Sequence, residues 1–130
     1  MFVSPGSRLN RKRVSSDLRL TGLGSADAAQ DGAYTFTPND AGKGFFHSSA
    51  SAHAWTIDTQ AHQAIPVGSI LVFTTGQASG TLTLTPASGV TFERCDGTVG
   101  TGARTMGSAS TATARQRATD IWVLSGVFAS

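Results

Sequence analysis

Thr81-Leu82-Thr83-Leu84-Thr85 is the stretch that decides the fold class. Its strict alternation places both leucines on one face and all three threonines on the other, the period of a strand with one buried side. A helix would scatter the same residues around its surface, and β-branched threonine loses side-chain freedom there. Similar signals recur on both sides of this stretch, each bounded by turn residues. Ala33-Tyr34-Thr35-Phe36-Thr37 alternates and ends in Pro38-Asn39-Asp40-Ala41-Gly42, where one helical turn around Asp40–Lys43 is the only helix candidate of this region. Phe45-Phe46-His47, Ala54-Trp55-Thr56-Ile57-Asp58 and Val90-Thr91-Phe92 are short strand candidates, and Thr111 to Ala118 alternates small and polar residues. Ile70-Leu71-Val72-Phe73 and Ile121-Trp122-Val123-Leu124 are apolar on both faces, which predicts strands central to a sandwich. Asp120 and Gly126 bound the second of them.

The expected fold is therefore all-β: an antiparallel, jelly-roll-like β-sandwich of about eight short strands. It spans residues 33–130, behind an extended N-terminal arm over residues 1–32. Composition agrees with this reading. Of 130 residues, 39% are apolar and only 14% charged, against about 25% charged in an average domain. Thr, Ser, Gly and Ala fill the deficit, a mixture that suits strands and turns better than helices.

The arm differs from the body in charge. Residues 1–20 hold five bases against Asp17 alone, a charge of +4, whereas the rest of the chain holds five bases and seven acids. The arm shows no sustained periodicity and has too little apolar surface for a core of its own. Its basic residues Arg8, Arg11, Lys12, Arg13 and Arg19, with the apolar anchors Val14, Leu18 and Leu20, are the candidate partner-binding set. Arginine forks match carboxylates, so the expected target is a mostly acidic protein surface on which the arm becomes ordered. Nucleic acid is the weaker alternative, because no aromatics for stacking on bases interleave the charges and the body offers no supporting basic surface.

Enzyme chemistry finds little support. His47, His53 and His62 are the first metal candidates, yet their spacing matches no common zinc pattern, and they read as surface or turn histidines, with His47 and His53 flanking a hairpin. Cys95 is the only cysteine, so no disulfide within the chain and no cysteine-based zinc site can form, and its flanking acids oppose a reactive thiolate. Glu93 and Asp96 read as surface charge rather than as a glycosidase pair. Gly97 to Arg104 lacks the Gly-Lys-Ser/Thr end of a phosphate loop and reads as a flexible connection. No catalytic residue, cofactor or metal is expected. No run of apolar residues is long enough for a membrane helix and the N-terminus lacks a secretory core, so the expectation is synthesis in the cytoplasm and no membrane contact.

From Tyr34 to Gly126 the chain resembles small bacteriophage structural proteins, namely head decoration (cement) proteins and related β-modules of tail proteins. The resemblance rests on an ordered series of phrases. These are Tyr34-Thr35-Phe36-Thr37 with Asp40-Ala41-Gly42-Lys43, Ala54-Trp55-Thr56-Ile57, Ile65-Pro66-Val67-Gly68-Ser69, Thr81-Leu82-Thr83-Leu84 with Gly89-Val90-Thr91, and the ending Asp120-Ile121-Trp122-Val123-Leu124-Ser125-Gly126. It implies a β-scaffold without catalytic residues. It also implies a virion location on the outer surface of the capsid, with the major capsid protein and further copies of this chain as partners, in a homodimer or homotrimer. Because such modules occur in heads and in tails, a tail or fibre module that binds another tail protein or a host glycan is the alternative. The module here makes up nearly all of the chain behind one arm, which favours a stand-alone decoration protein.

Overall fold

The computed structural model describes residues 26–94 and 101–128. Ten strands lie within them: β1 (Ala28–Ala29), β2 (Tyr34–Thr35), β3 (Gly44–His47), β4 (His53–Ile57), β5 (Ile70–Thr75), β6 (Leu82–Pro86), β7 (Thr91–Arg94), β8 (Arg104–Met106), β9 (Thr111–Ala118) and β10 (Ile121–Gly126). One turn of 3-10 helix, Pro38–Asp40, falls slightly ahead of the expected turn. Thr81–Thr85 behaves as its alternation requires: Leu82 and Leu84 are buried in β6, while Thr83 and Thr85 face outward.

The strands form a two-sheet β-sandwich. A six-stranded sheet has the order β1-β3-β5-β9-β10-β7, and a four-stranded sheet the order β2-β4-β6-β8. The chain crosses from one sheet to the other after each of the first eight strands, and only β9 and β10 are consecutive neighbours in one sheet. As a result β1, β3 and β5 run parallel in one layer and β2, β4 and β6 run parallel in the other. The β7–β10 ladder is also parallel, and β5–β9, β9–β10 and β6–β8 are antiparallel.

This winding corrects two expectations. Jelly-roll order and antiparallel pairing do not describe the first six strands, because each turn between them is an arch into the facing sheet rather than a hairpin within one sheet. The sheet also begins at Ala28, ahead of the expected boundary at residue 33, since β1 pairs along the edge of β3. β1 and β8 are the two strands that sequence patterning missed; one has two residues and the other three.

Successive arches stack. The connection before β2 is tied to the arch between β3 and β4 by Asp31, whose carboxylate accepts from Ser48 N (2.7 Å) and Ser49 N (3.1 Å). That arch is tied in turn to the one between β5 and β6, where Gly80 N donates to Ser49 O (2.8 Å) and Gly76 N to His47 O (2.9 Å). The backbone polar groups of the arches are thereby satisfied by the neighbouring turn of the winding.

Between the sheets lies an aromatic core. Phe36 is fully buried and meets Phe45 and Phe73 from the larger sheet at 5.0 and 5.5 Å, and Trp55 from the smaller one at 5.9 Å, mostly in edge-to-face or tilted arrangements. Trp55 satisfies its indole N–H on Gly32 O (3.0 Å). Leu71, Ala114 and Leu124 form a second inward row, and Trp122 lies beside Phe92 and Gln116. Buried Gln116 spends its amide on two distant points: its Nε2 donates to Ile65 O (2.8 Å) and its Oε1 accepts from Asp120 N (3.0 Å). It thus fixes the long β4–β5 connection against the β9–β10 hairpin, whose turn residue Asp120 has a positive φ of 60°. Asp120 adds a reciprocal bond, its Oδ1 accepting from Gln60 N (2.6 Å).

Candidate functional site

A two-layer sandwich buries only one face of each sheet against the other. A strand that is apolar on both faces must then present apolar residues outward, and β5 and β10 do so. Both lie inside the six-stranded sheet, as their two-sided pattern predicts. Leu71, Phe73, Trp122 and Leu124 point into the core, whereas Ile70, Val72, Ile121 and Val123 point away from it. The cross-strand registers assemble these residues into rows. Ile70, Arg115, Val123 and Glu93 form one, and Gly44, Val72, Thr113 and Ser125 the next, with Phe46, Thr74 and Thr111 beyond. Ile70 is 44% exposed, and Val67 and Val127 extend apolar surface toward opposite ends of the sheet at 51% and 63% exposure.

The polar members of this face are charged in both senses. Arg117 clasps Glu93 with two parallel bonds, Nε to Oε1 at 2.7 Å and an Nη to Oε2 at 2.9 Å. The hydrogen bonds from Arg117 hold the Glu93 carboxyl below its usual range, and the same bonds raise the guanidinium. Exposed Arg115 lies in the same row as Glu93. The outer face of the four-stranded sheet is different in kind: its registered rows are Thr35, Thr56 and Thr85, and Ala54, Thr83 and Thr105. One outer face therefore mixes apolar, charged and hydroxyl side chains, and the other is mainly a threonine surface.

The arm residues Arg8, Arg11, Lys12, Arg13, Val14, Leu18, Arg19 and Leu20 lie outside the described residues, as do Cys95 and Asp96. Glu93, read from sequence as surface charge, is surface charge with a defined partner. Arg104, at the end of the glycine-rich connection, is buried and donates to the carbonyls of Thr101, Gly102 and Ala103 at 2.9–3.1 Å.

The histidines depart from their sequence reading. His62 is exposed beside Asp58 at 3.0 Å, but His47 is fully buried and His53 half-buried, and they meet at 3.0 Å through His47 Nε2 and His53 Nδ1. They flank an arch between sheets rather than a hairpin, so the winding turns both side chains into the interior. His47 also stands edge-on to Trp55, with ring centroids 5.9 Å apart. Burial pushes the His47 imidazole below its ordinary value; His53 adds to the effect and Asp31 opposes it. Among the described residues, no three His, Cys, Asp or Glu side chains gather as metal ligands. No helix among them is long and apolar enough to cross a membrane. The chain matches no family model, no curated protein and no solved structure.

Proposed function

We propose that the chain is a structural binding module of a phage particle, a decoration protein that self-associates through its β-body and reaches the shell with its basic arm. The observation that carries this reading is the outward row Ile70–Arg115–Val123–Glu93 with Val72 beside it. Outward apolar side chains interleaved with charged ones on one sheet face suit an interaction site. The occupant is a second copy of this chain. A surface complementary to its own rotated image needs both charge signs among its apolar side chains, and Arg115 and Arg117 set against Glu93 supply them. The threonine face and the arm are then left free to meet other partners. The arm's charge of +4 suits an acidic shell surface, and many copies add avidity to modest individual contacts.

Sedimentation of the full chain tests the self-association. The wild type is expected to run as an oligomer, and Ile70→Lys, at an exposed position, is expected to weaken assembly at least about tenfold with an unchanged circular dichroism spectrum. A wild-type monomer at every concentration would overturn the assignment of this face. Attachment is read separately: deleting residues 1–20 should leave a folded body that no longer binds purified capsids. If the truncated chain decorates particles at full occupancy, the arm reading fails.

A further inference from the structure

His47 and His53 form a polar pair at one end of the core that a binding role leaves unused. Two arches of the winding meet at this pair. His47 ends β3, His53 begins β4, and Ser79 belongs to the arch between β5 and β6, with its Oγ 2.7 Å from His47 Nδ1. Hydrogen-bond accounting fixes the protons. The Ser79 hydroxyl donates its single proton to Gly80 O (2.7 Å), so its oxygen accepts from His47 Nδ1–H. Neutral His47 then holds a bare lone pair at Nε2, and the 3.0 Å contact requires His53 Nδ1–H to donate to it.

This arrangement accepts one extra proton but not two. A proton added at the outer nitrogen of His53 keeps the contact and makes it charge-assisted. A second proton has to occupy His47 Nε2, where the N–H of His53 already points, and it would set two donors and two cations against each other at 3.0 Å. We propose that the His47–His53 pair is a proton-operated latch that ties together the arches at one end of the sandwich and releases them when both rings are charged. Asp31, on the connection before β2, is the other charged group acting on His47. Its own carboxyl is held below the usual range by the Ser48 hydrogen bonds, so it stays ionised while His47 titrates. Ser79, Thr75 and Trp55, the remaining neighbours of the ring, do not titrate there.

The sign follows from burial. The folded chain resists protonation of His47 more than the unfolded chain does, so the latch contributes fully above the ordinary histidine value of 6.5 and is lost as pH falls through the lowered folded value. The pH window lies above that in which Asp31 protonates.

Amide exchange by NMR on the full chain from pH 7.5 down to about 5 tests the latch, with the His47 ring signals followed in the same samples. The reporters are Gly80 N–H, bonded to Ser49 O at 2.8 Å, and His53 N–H, bonded to Thr81 O at 3.1 Å. The control is Gln116 N–H, bonded to Ser69 O at the opposite end of β5. Below the ordinary histidine value of 6.5, and until His47 of the folded chain is itself protonated, the protection factors of the reporters should fall by up to about tenfold per pH unit, as a one-proton opening requires, while the control holds. His47→Gln should remove the pH dependence. If that variant does not fold, His53→Gln removes the second cation and leaves an amide that can turn its oxygen to a protonated His47 Nε2, so the His47 titration should move upward in pH and the pH-dependent opening of the reporters should shrink. Reporters that track the control through the whole range overturn the latch. So does a pH-dependent opening of undiminished size in His53→Gln.

Discussion

Adding a single methyl group at Gly80 and at Gly107 should have opposite effects, and the difference measures the stacking of the arches. A Cβ built at Gly80 falls inside van der Waals contact with the Ala50 carbonyl oxygen, 2.8 Å from Ser51 C and 2.9 Å from Ala50 C. All three atoms are backbone of the neighbouring arch, which Gly80 N–H itself grips through Ser49 O. No flexible side chain can move aside, so the arches must separate by several tenths of an ångström or the hydrogen bond must bend. Overpacking of this kind costs about 1–3 kcal/mol, and the gain from restricting the unfolded chain, about 0.4–1 kcal/mol, offsets part of it. Gly80→Ala is therefore expected to destabilise by about 1–2 kcal/mol. At Gly107 a Cβ meets nothing within 4 Å, and Gly107 is not among the glycines of positive φ. Gly107→Ala is expected to stabilise by about 0.4–1 kcal/mol, the unfolded-state effect alone. Urea denaturation followed by the fluorescence of buried Trp55 and Trp122 reads both variants. If Gly80→Ala is as stable as Gly107→Ala, the arches do not stack and the parallel winding is wrong.

Two other perturbations probe the core. Phe36→Ala removes a fully buried ring that touches both sheets and should cost about 3–5 kcal/mol, seen as a lower urea midpoint; a loss under about 1 kcal/mol would show that the sheets do not close on it. Tyr34 donates to Asp40 at 2.6 Å, and burial followed by that hydrogen bond raises its hydroxyl to about 12. The folded state thus favours neutral Tyr34, so its contribution is complete below pH 10 and is lost as pH rises from there toward 12. An absorbance titration of the phenolate in which Tyr34 ionises near 10 would refute the contact.

How far the fold was legible follows from what alternation can encode. Period two tells which residues of a strand share a face, and so the inward sets of β5, β6 and β10 were readable from Leu71/Phe73, Leu82/Leu84 and Trp122/Leu124. It does not tell whether the next turn folds the chain back beside the same strand or over into the opposite sheet. Ser48–Ala52 reads equally well as either, and the answer depends on the neighbouring arches that Asp31 and Gly80 bind. The burial of His47 was hidden for the same reason, because it results from stacking with residues more than thirty positions away, such as Ser79. The outward apolar face carried a signal that was available. Two-sided apolar strands read as central strands, but two layers cannot cover four faces.

That last constraint links fold to function more tightly than the resemblance does. Val72 and Val123, with Ile70 at one end, stand on the outer side of strands whose inner side already fills the core. Folding alone would be served as well by threonine at these positions, as the outer face of the four-stranded sheet demonstrates with Thr35, Thr56, Thr83 and Thr85. Isoleucine and valine at these outward positions, where threonine serves the other outer face and the neighbouring positions Thr74, Thr111 and Thr113 of this one, mean that strand propensity alone does not explain the choice. Burial against another surface does, at about 25 cal/mol for each Å² removed from water. On the proposed reading the arm serves a separate contact, because its five bases would meet Arg115 and Arg117 on the sheet face. The proposal thus makes self-association and attachment separable: Ile70→Lys should weaken the first at least about tenfold, deletion of residues 1–20 should remove the second, and each should spare the other.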